Sequence, residues 1–248
     1  MKKIYKVLLL LLVVCFKTNA QKTDSLKKIQ PLLATANLNI TNNGISLFPN
    51  FSLGKPAAIV NISVGKKHLF FEPELRWGLN GKPWSYIYWL RFRTYKKNNF
   101  TFQTGLHSSF VFRETSFLIN GKNENRFVSQ RYLSGEVMPV WHKSPKFALA
   151  LYALNSRGLD AYAIQNSYFV AIQPRFPKIS LNKSYYLSFF PQVFYLQLDK
   201  TKGTYFSETL NFNKEKKPIS ISSIFTYKLK STIAGDNIVW NVGLNYKF

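Results

Sequence analysis

Apolar and polar residues alternate over long stretches of this chain. Between Asn99 and Arg113, Phe100, Phe102, Leu106, Phe110 and Phe112 share one parity, and Thr101, Gln103, His107, Ser109 and Arg113 share the other. Successive side chains of a strand point to opposite faces, so such a segment has one greasy face and one polar face. The same rhythm predicts strands near residues 44–53, 57–65, 68–78, 84–96, 99–112, 129–142, 146–156, 166–177, 184–198, 203–213, 219–231 and 237–248. Each runs to about ten residues, the length with which a tilted strand crosses a bilayer. The segment 44–53 is interrupted by Pro49.

The connections fall into two alternating sets. One is short and lysine-rich: Lys66-Lys67, Lys96-Lys97, Lys143 to Lys146, Lys178 to Lys183 and Lys214 to Lys217. The other is more varied and includes the two longest predicted loops, near 114–128 and 157–165. Bacterial barrels have an even strand number and short periplasmic turns, so the last strand should end in the periplasm. Counting back from Phe248 puts every lysine-rich turn on that side and the long loops outside. Gly54-Lys55-Pro56 and Gly81-Lys82-Pro83 both fall at expected outer turns, where the preset φ of proline is useful.

The parity assigns residues to faces. Phe71, Leu75 and Trp77, then Tyr86, Tyr88, Leu90 and Phe92, point outward, as do Leu187, Phe189, Val193 and Tyr195. The last strand adds Ile238, Trp240, Val242, Leu244, Tyr246 and Phe248. Trp77 and Trp84 flank one outer turn and Trp141 lies near an inner one, as girdle aromatics at a bilayer interface do. The inward parity carries Glu72, Glu74, Arg76, Arg91, Arg93, Gln103, His107, Arg113, Glu136 and Arg175. A midplane Arg or Lys facing lipid costs roughly 2–4 kcal/mol, so these groups are expected to face an enclosed interior and pair across strands. Two uses of that interior are open: interlocking pairs that plug it, or a narrow aqueous path whose arginines favour anions. Trp89, Phe190 and Phe194 on the same parity favour a narrow or largely filled lumen.

The N-terminus changes where such strands would sit. Lys2, Lys3 and Lys6 precede the apolar run Val7 to Phe16, and Thr18-Asn19-Ala20 offers a cut after Ala20. This is the pattern of a secretory signal peptide, and the run is too short for a spanning helix. Cys15 is the only cysteine and leaves with the leader; lipidation at Cys15 is the rival reading. The formal charge is +23, of which +19 remains once Lys2, Lys3, Lys6 and Lys17 are removed. A chain so basic seeks anionic surfaces, and export makes outer-membrane lipids, lipopolysaccharide or other anionic head groups the expected partners rather than nucleic acid.

Candidate chemistry is sparse. His107 and Ser109 lie two apart on one strand and so share a face, the minimum for a nucleophile and its base. The spacing resembles the His-x-Ser of outer-membrane phospholipase A and lipid A deacylase. That resemblance implies Ser109 as nucleophile and His107 as base, with Glu136 on the next strand orienting the imidazole. Phe110-Val111 follows the serine here, and parity turns both residues inward. A pair of lumen residues joined by hydrogen bonds is the alternative. His68, His107 and His142 lack metal-ligand spacing, and no phosphate-binding or dinucleotide motif occurs, so neither a metal nor a cofactor is expected.

With its leader, amphipathic strands, short inner turns and the ending Trp240-Asn241-Val242-Gly243-Leu244-Asn245-Tyr246-Lys247-Phe248, the chain resembles the small outer-membrane β-barrels of Gram-negative bacteria. The resemblance implies an all-β fold: a single antiparallel transmembrane β-barrel of about twelve strands with short periplasmic turns and longer outer loops. It also implies that the barrel assembly machinery reads the last strand. The expected division is a signal peptide over 1–20, a periplasmic leader over 21–43 and the barrel over 44–248. The expected role is an outer-membrane barrel without catalysis, either a narrow channel or a structural and surface-interaction protein. A membrane-embedded lipid hydrolase and a secreted soluble β-protein that binds a ligand are the alternatives.

Overall fold

The computed structural model describes residues 31–248 apart from Leu47 and Lys96. The expected leader, its cut after Ala20 and Cys15 lie outside the described residues. The strands are β1 (Leu33–Thr41), β2 (Ala57–Lys66), β3 (Leu69–Gly78), β4 (Pro83–Arg93), β5 (Phe100–Ile119), β6 (Lys122–Ser144), β7 (Phe147–Gly158), β8 (Asn166–Ser180), β9 (Tyr185–Leu198), β10 (Thr201–Lys214), β11 (Ile219–Ser231) and β12 (Ile238–Lys247). Each pairs antiparallel with its sequence neighbours, and β1 pairs with β12 to close a barrel. Closure leaves no sheet edge along the wall, which is what lets strands cross hydrocarbon.

The alternation sorts faces as expected. Leu106 is 64% exposed and Leu90 50%, on a belt that also carries Phe92, Leu133, Leu151, Ile172, Val193, Val242 and Leu244. On the opposite parity His107, Ser109, Ser134 and Glu136 are buried. An apolar belt around a polar, packed interior is the inside-out arrangement of a membrane barrel, with the strands crossing the bilayer. No described helix is long and apolar enough to cross a membrane. Trp240, Trp141 and Tyr246 stand exposed on the belt. Trp84 does not: it is 2% exposed and turned into the lumen, a correction to its expected place in the girdle.

Three further expectations change. The barrel starts at Leu33, not Gly44, because Leu33–Thr41, read as leader, is β1. Conversely 44–53, read as the first strand, leaves the wall and turns inward, with a 3-10 turn over Pro49–Phe51. Pro49 has no N–H to give a ladder and its fixed φ starts that turn. Finally, 114–128 is not a loop. β5 and β6 run on as a hairpin paired as far as Ile119 and Lys122. Asn120 and Gly121 make its tight turn at φ 49° and 75°. Asn-Gly accepts two positive φ values, as a two-residue hairpin turn demands.

The inward-turned segment 42–56 is tied down at several points. Gly44 N–H donates to Lys55 O at 2.8 Å and Leu53 N–H to Gly44 O at 2.8 Å, which draws the segment into a closed loop. The Trp84 indole N–H donates to Phe51 O at 2.7 Å, pinning its tip to the wall. A Cβ on Gly44 would lie 2.9 Å from the Trp84 ring, so only glycine fits beneath that indole. From outside, the β7–β8 loop packs down: Ala163 and Ile164 meet Phe51, Val111 and Tyr132.

Candidate functional site

Two regions of the interior are unlike. Between β7 and β10 an apolar slab is close-packed. Phe169, 0% exposed, stacks on Phe194 at 4.9 Å, and Phe194 stacks on Tyr205 at 4.9 Å. Leu154, Ala171 and Leu196 complete this slab, and Phe48 of the inward segment packs edge-on to Phe169 at 5.9 Å. Beside the slab a further cavity of about 210 Å³ remains, lined by Gln192, Phe194, Ser207, Thr209 and Thr226.

Along β2 to β6 the interior is polar and carries the expected charges. Glu72 accepts from Arg91 Nη1 at 2.9 Å, from Arg93 Nη2 at 2.8 Å and from Ser63 Oγ at 2.6 Å. Arg91 Nε also donates to Glu136 at 2.8 Å, and Glu136 accepts from Gln103 at 2.8 Å and from the Tyr152 hydroxyl at 2.7 Å. Arg93 Nε donates to Gln103 Oε1 at 2.8 Å, closing the network. Glu74 pairs with Arg76. The register explains the diagonal reach: Glu72 sits opposite Trp89 and Phe70 opposite Arg91, so a long guanidinium spans one step of the pleat. The expected pairing between the third and fourth strands is therefore present, and β6 adds Glu136 to it.

Arg175 and Arg113 make contacts of their own. Arg175 donates to Gln173 at 2.6 Å and approaches Met138 Sδ at 3.1 Å. Arg113 lies over the Phe51 ring at 5.9 Å, near the outer mouth.

His107 and Ser109 share the lumen face as expected, but no catalytic triad forms. The His107 ring packs edge-on against Trp89 at 4.1 Å, and its Nδ1 has no hydrogen-bond partner among the described residues. Glu136 pairs in register with Gly105, not with His107. Its two carboxylate oxygens are taken by Arg91, Gln103 and Tyr152, so it does not orient the imidazole. Nor is there a group of acidic, histidine or cysteine side chains among the described residues able to hold a metal.

Space remains on the polar side in three stacked cavities. An outer cleft of about 500 Å³ opens at the rim beside the β3–β4 turn, with Lys55, Lys82 and Arg113 on its walls. A chamber of about 220 Å³ lies beneath it, lined by Ser85, Trp89, His107, Ser109 and Ser134. A third cavity of about 210 Å³ sits toward the lysine-rich rim, between Arg93, Asn61 and Lys247. The cleft and the chamber share Phe51 and Val111 as walls. The chamber and the third cavity share Glu74, Trp89 and Arg91. The path is thus continuous in outline and closed at two partitions, one aromatic and one a salt-bridged guanidinium.

The KdgM porin in complex with disordered oligogalacturonate has a similar structure, with a TM-score of 0.54 at 8% identity over 87% of this chain and 99% of that one. An outer-membrane channel from Pseudomonas putida F1 matches with a TM-score of 0.51 at 12% identity, covering 91% and 99% of the two chains. The NanC porin matches with a TM-score of 0.51 at 10% identity, covering 86% and 100%. The chain shares their fold. Comparison with protein-family models and with curated proteins finds no match. The single antiparallel barrel of twelve strands expected from the sequence is thus the architecture found.

Sequence reasoning missed Phe51, which closes the cleft, and Trp84, which holds it. It also missed Ser63 and Tyr152, which complete the charge network. Strand parity was the available signal for Ser63 and Tyr152, and Pro49 the available signal that 44–53 leaves the wall.

Proposed function

We propose that the protein is a non-catalytic outer-membrane barrel that acts as a narrow, gated channel for small solutes. The single observation behind this reading is the row of three cavities joined through shared partitions along one wall. Phe51 is the outer gate. It belongs to a loop rather than to the wall, so it can swing without breaking a strand ladder. The Arg91 network is the inner constriction. Its arginines are largely neutralised by Glu72, Glu74 and Glu136, so the path is less anion-selective than a count of arginines implies. The outer cleft carries Lys55 and Lys82 against Glu114, which raises the local concentration of anions at the mouth. At the other rim the lysine-rich turns hold anionic head groups, and the alternating last strand engages the assembly machinery.

Planar-bilayer recording tests the channel. The wild-type barrel should show small, infrequent openings. Phe51→Ala and a deletion of 45–52 should each raise the open fraction several-fold. If neither variant conducts above the wild type, the barrel is a plug and the channel reading fails.

A further inference from the structure

The middle chamber is built unlike the cavities on either side of it. Every formal charge at its wall is already engaged: Arg91 with Glu72 and Glu136, and Arg76 with Glu74. What is left unsatisfied there is neutral. Ser85 is 3% exposed and His107 8% exposed, and Ser85 Oγ and His107 Nδ1 have no hydrogen-bond partner among the described residues. Buried polar atoms are nearly always paired in native proteins, so two orphans on one small cavity call for an occupant. Ser109 and Ser156 add hydroxyls that donate and accept, Ser156 while it accepts from Ser134 at 2.7 Å. Phe48, Phe51, Ile87 and Leu154 supply apolar surface on the same cavity.

We propose that this chamber is a binding site for one neutral, polyhydroxylated solute of monosaccharide size. A volume of about 220 Å³ corresponds to roughly seven waters at ~30 Å³ each, the bulk of a single six-carbon sugar. Such a molecule has hydroxyls around its edge and C–H groups on its faces. The hydroxyls match Ser85, His107 and Ser109, and the faces match the aromatic walls. An anionic sugar would meet no free counter-charge in the chamber and would leave its own charge desolvated. The channel reading supplies only the solute's route; the site itself stands on the cavity and its orphaned groups.

Saturation-transfer NMR on the detergent-solubilised full barrel, equilibrated overnight, tests this with D-glucose and D-glucuronate as probes. Phe51→Ala is run beside the wild type so that a closed gate cannot hide the site. Phe51 is also one of the chamber's apolar walls, so D-glucose should show transfer in at least one of the two. Ser85→Ala and His107→Leu should each weaken it at least tenfold, with retained heat-modifiable migration showing that the barrel is folded. Should His107→Leu not fold, Ser85→Ala decides alone, since it removes one atom. D-glucuronate should show at least tenfold less transfer than D-glucose. No glucose transfer in either the wild type or Phe51→Ala overturns the site and leaves a water-filled cavity. Transfer undiminished by Ser85→Ala also overturns it, and stronger transfer to glucuronate overturns the class of solute. Glucose binding without conductance would defeat the channel and leave the site standing.

Discussion

Glu136 shows how much depends on single side chains in the lumen. It is 3% exposed and holds Arg91, Gln103 and Tyr152 at once. Removing one member of a buried ion pair leaves the other charge uncompensated, at about 3–5 kcal/mol. Arg91 keeps Glu72, so Glu136→Ala should cost about 3 kcal/mol, the low end of that range. Glu136→Gln, which keeps the shape, should cost less. Urea unfolding in detergent measures both, and equal midpoints for wild type and Glu136→Ala would show that the network is not a stabilising one. A second residue acts outside the bilayer. Asp160 in the β7–β8 loop accepts hydrogen bonds from Arg131 Nη2 at 2.7 Å and from the Arg131 backbone N–H at 2.7 Å. The Arg131 side chain beside it holds its carboxyl below the usual carboxylate range. The stabilisation is therefore complete above the ordinary aspartate value of about 4 and is lost as pH falls through the depressed one. Protease nicking of the β7–β8 loop should rise in that acid window in the wild type, and Asp160→Asn should be nicked faster than the wild type at neutral pH.

Elements differ in how plainly their residues announce them. β5 and β12 were legible because large apolar side chains fill one parity, as in Ile238, Trp240, Val242 and Leu244. β1 was hidden because Ala34 and Ala36 take two of its four outward positions, leaving only Leu38 and Ile40, and alanine marks a greasy face only faintly. The neighbouring Ile45, Phe48, Phe51 and Leu53 give a louder signal that belongs to the lumen instead. Periodicity reports that a residue is apolar and cannot tell lipid from an aromatic slab, since both are equally water-free. The charge network was legible in outline for the converse reason, because ionised groups tolerate only one face. Strand ends carry their own constraint. A Cβ on Gly65, next to the β2–β3 turn, would lie 2.3 Å from the Phe70 ring and 2.5 Å from Leu69 O. Gly65→Ala should therefore lower barrel stability by about 1–3 kcal/mol, read from the same unfolding curves. An unchanged midpoint would mean that the turn yields freely.

At the scale of the whole molecule, one rim collects the lysine-rich turns. Lys66-Lys67, Lys143 to Lys146 and Lys214 to Lys217 stand there, and Lys178 pairs with Glu215 at 2.5 Å. Refolding into vesicles containing phosphatidylglycerol should leave the barrel more protease-resistant than refolding into phosphatidylcholine alone, and added salt should shrink that difference as it screens the surface. Equal protection in both lipids would assign the lysines to solubility during transit. The wall itself is not uniform around its circumference. β1 meets β12 over only Thr41↔Gly243 to Asn37↔Lys247, whereas β5 and β6 pair all the way from Phe100↔Trp141 to Ile119↔Lys122. Above the short ladder, asparagine amides take over: Asn43 Nδ2 donates to Trp240 O at 3.1 Å, Asn241 Nδ2 to Asn43 O at 3.0 Å, and Val242 N–H to Asn42 Oδ1 at 2.8 Å. A cylinder stitched along one line by side chains has a preferred place to tear. Under heat or tension this wall should unzip between its first and last staves, and deuterium should enter the amides of that join before it reaches any other part of the ring.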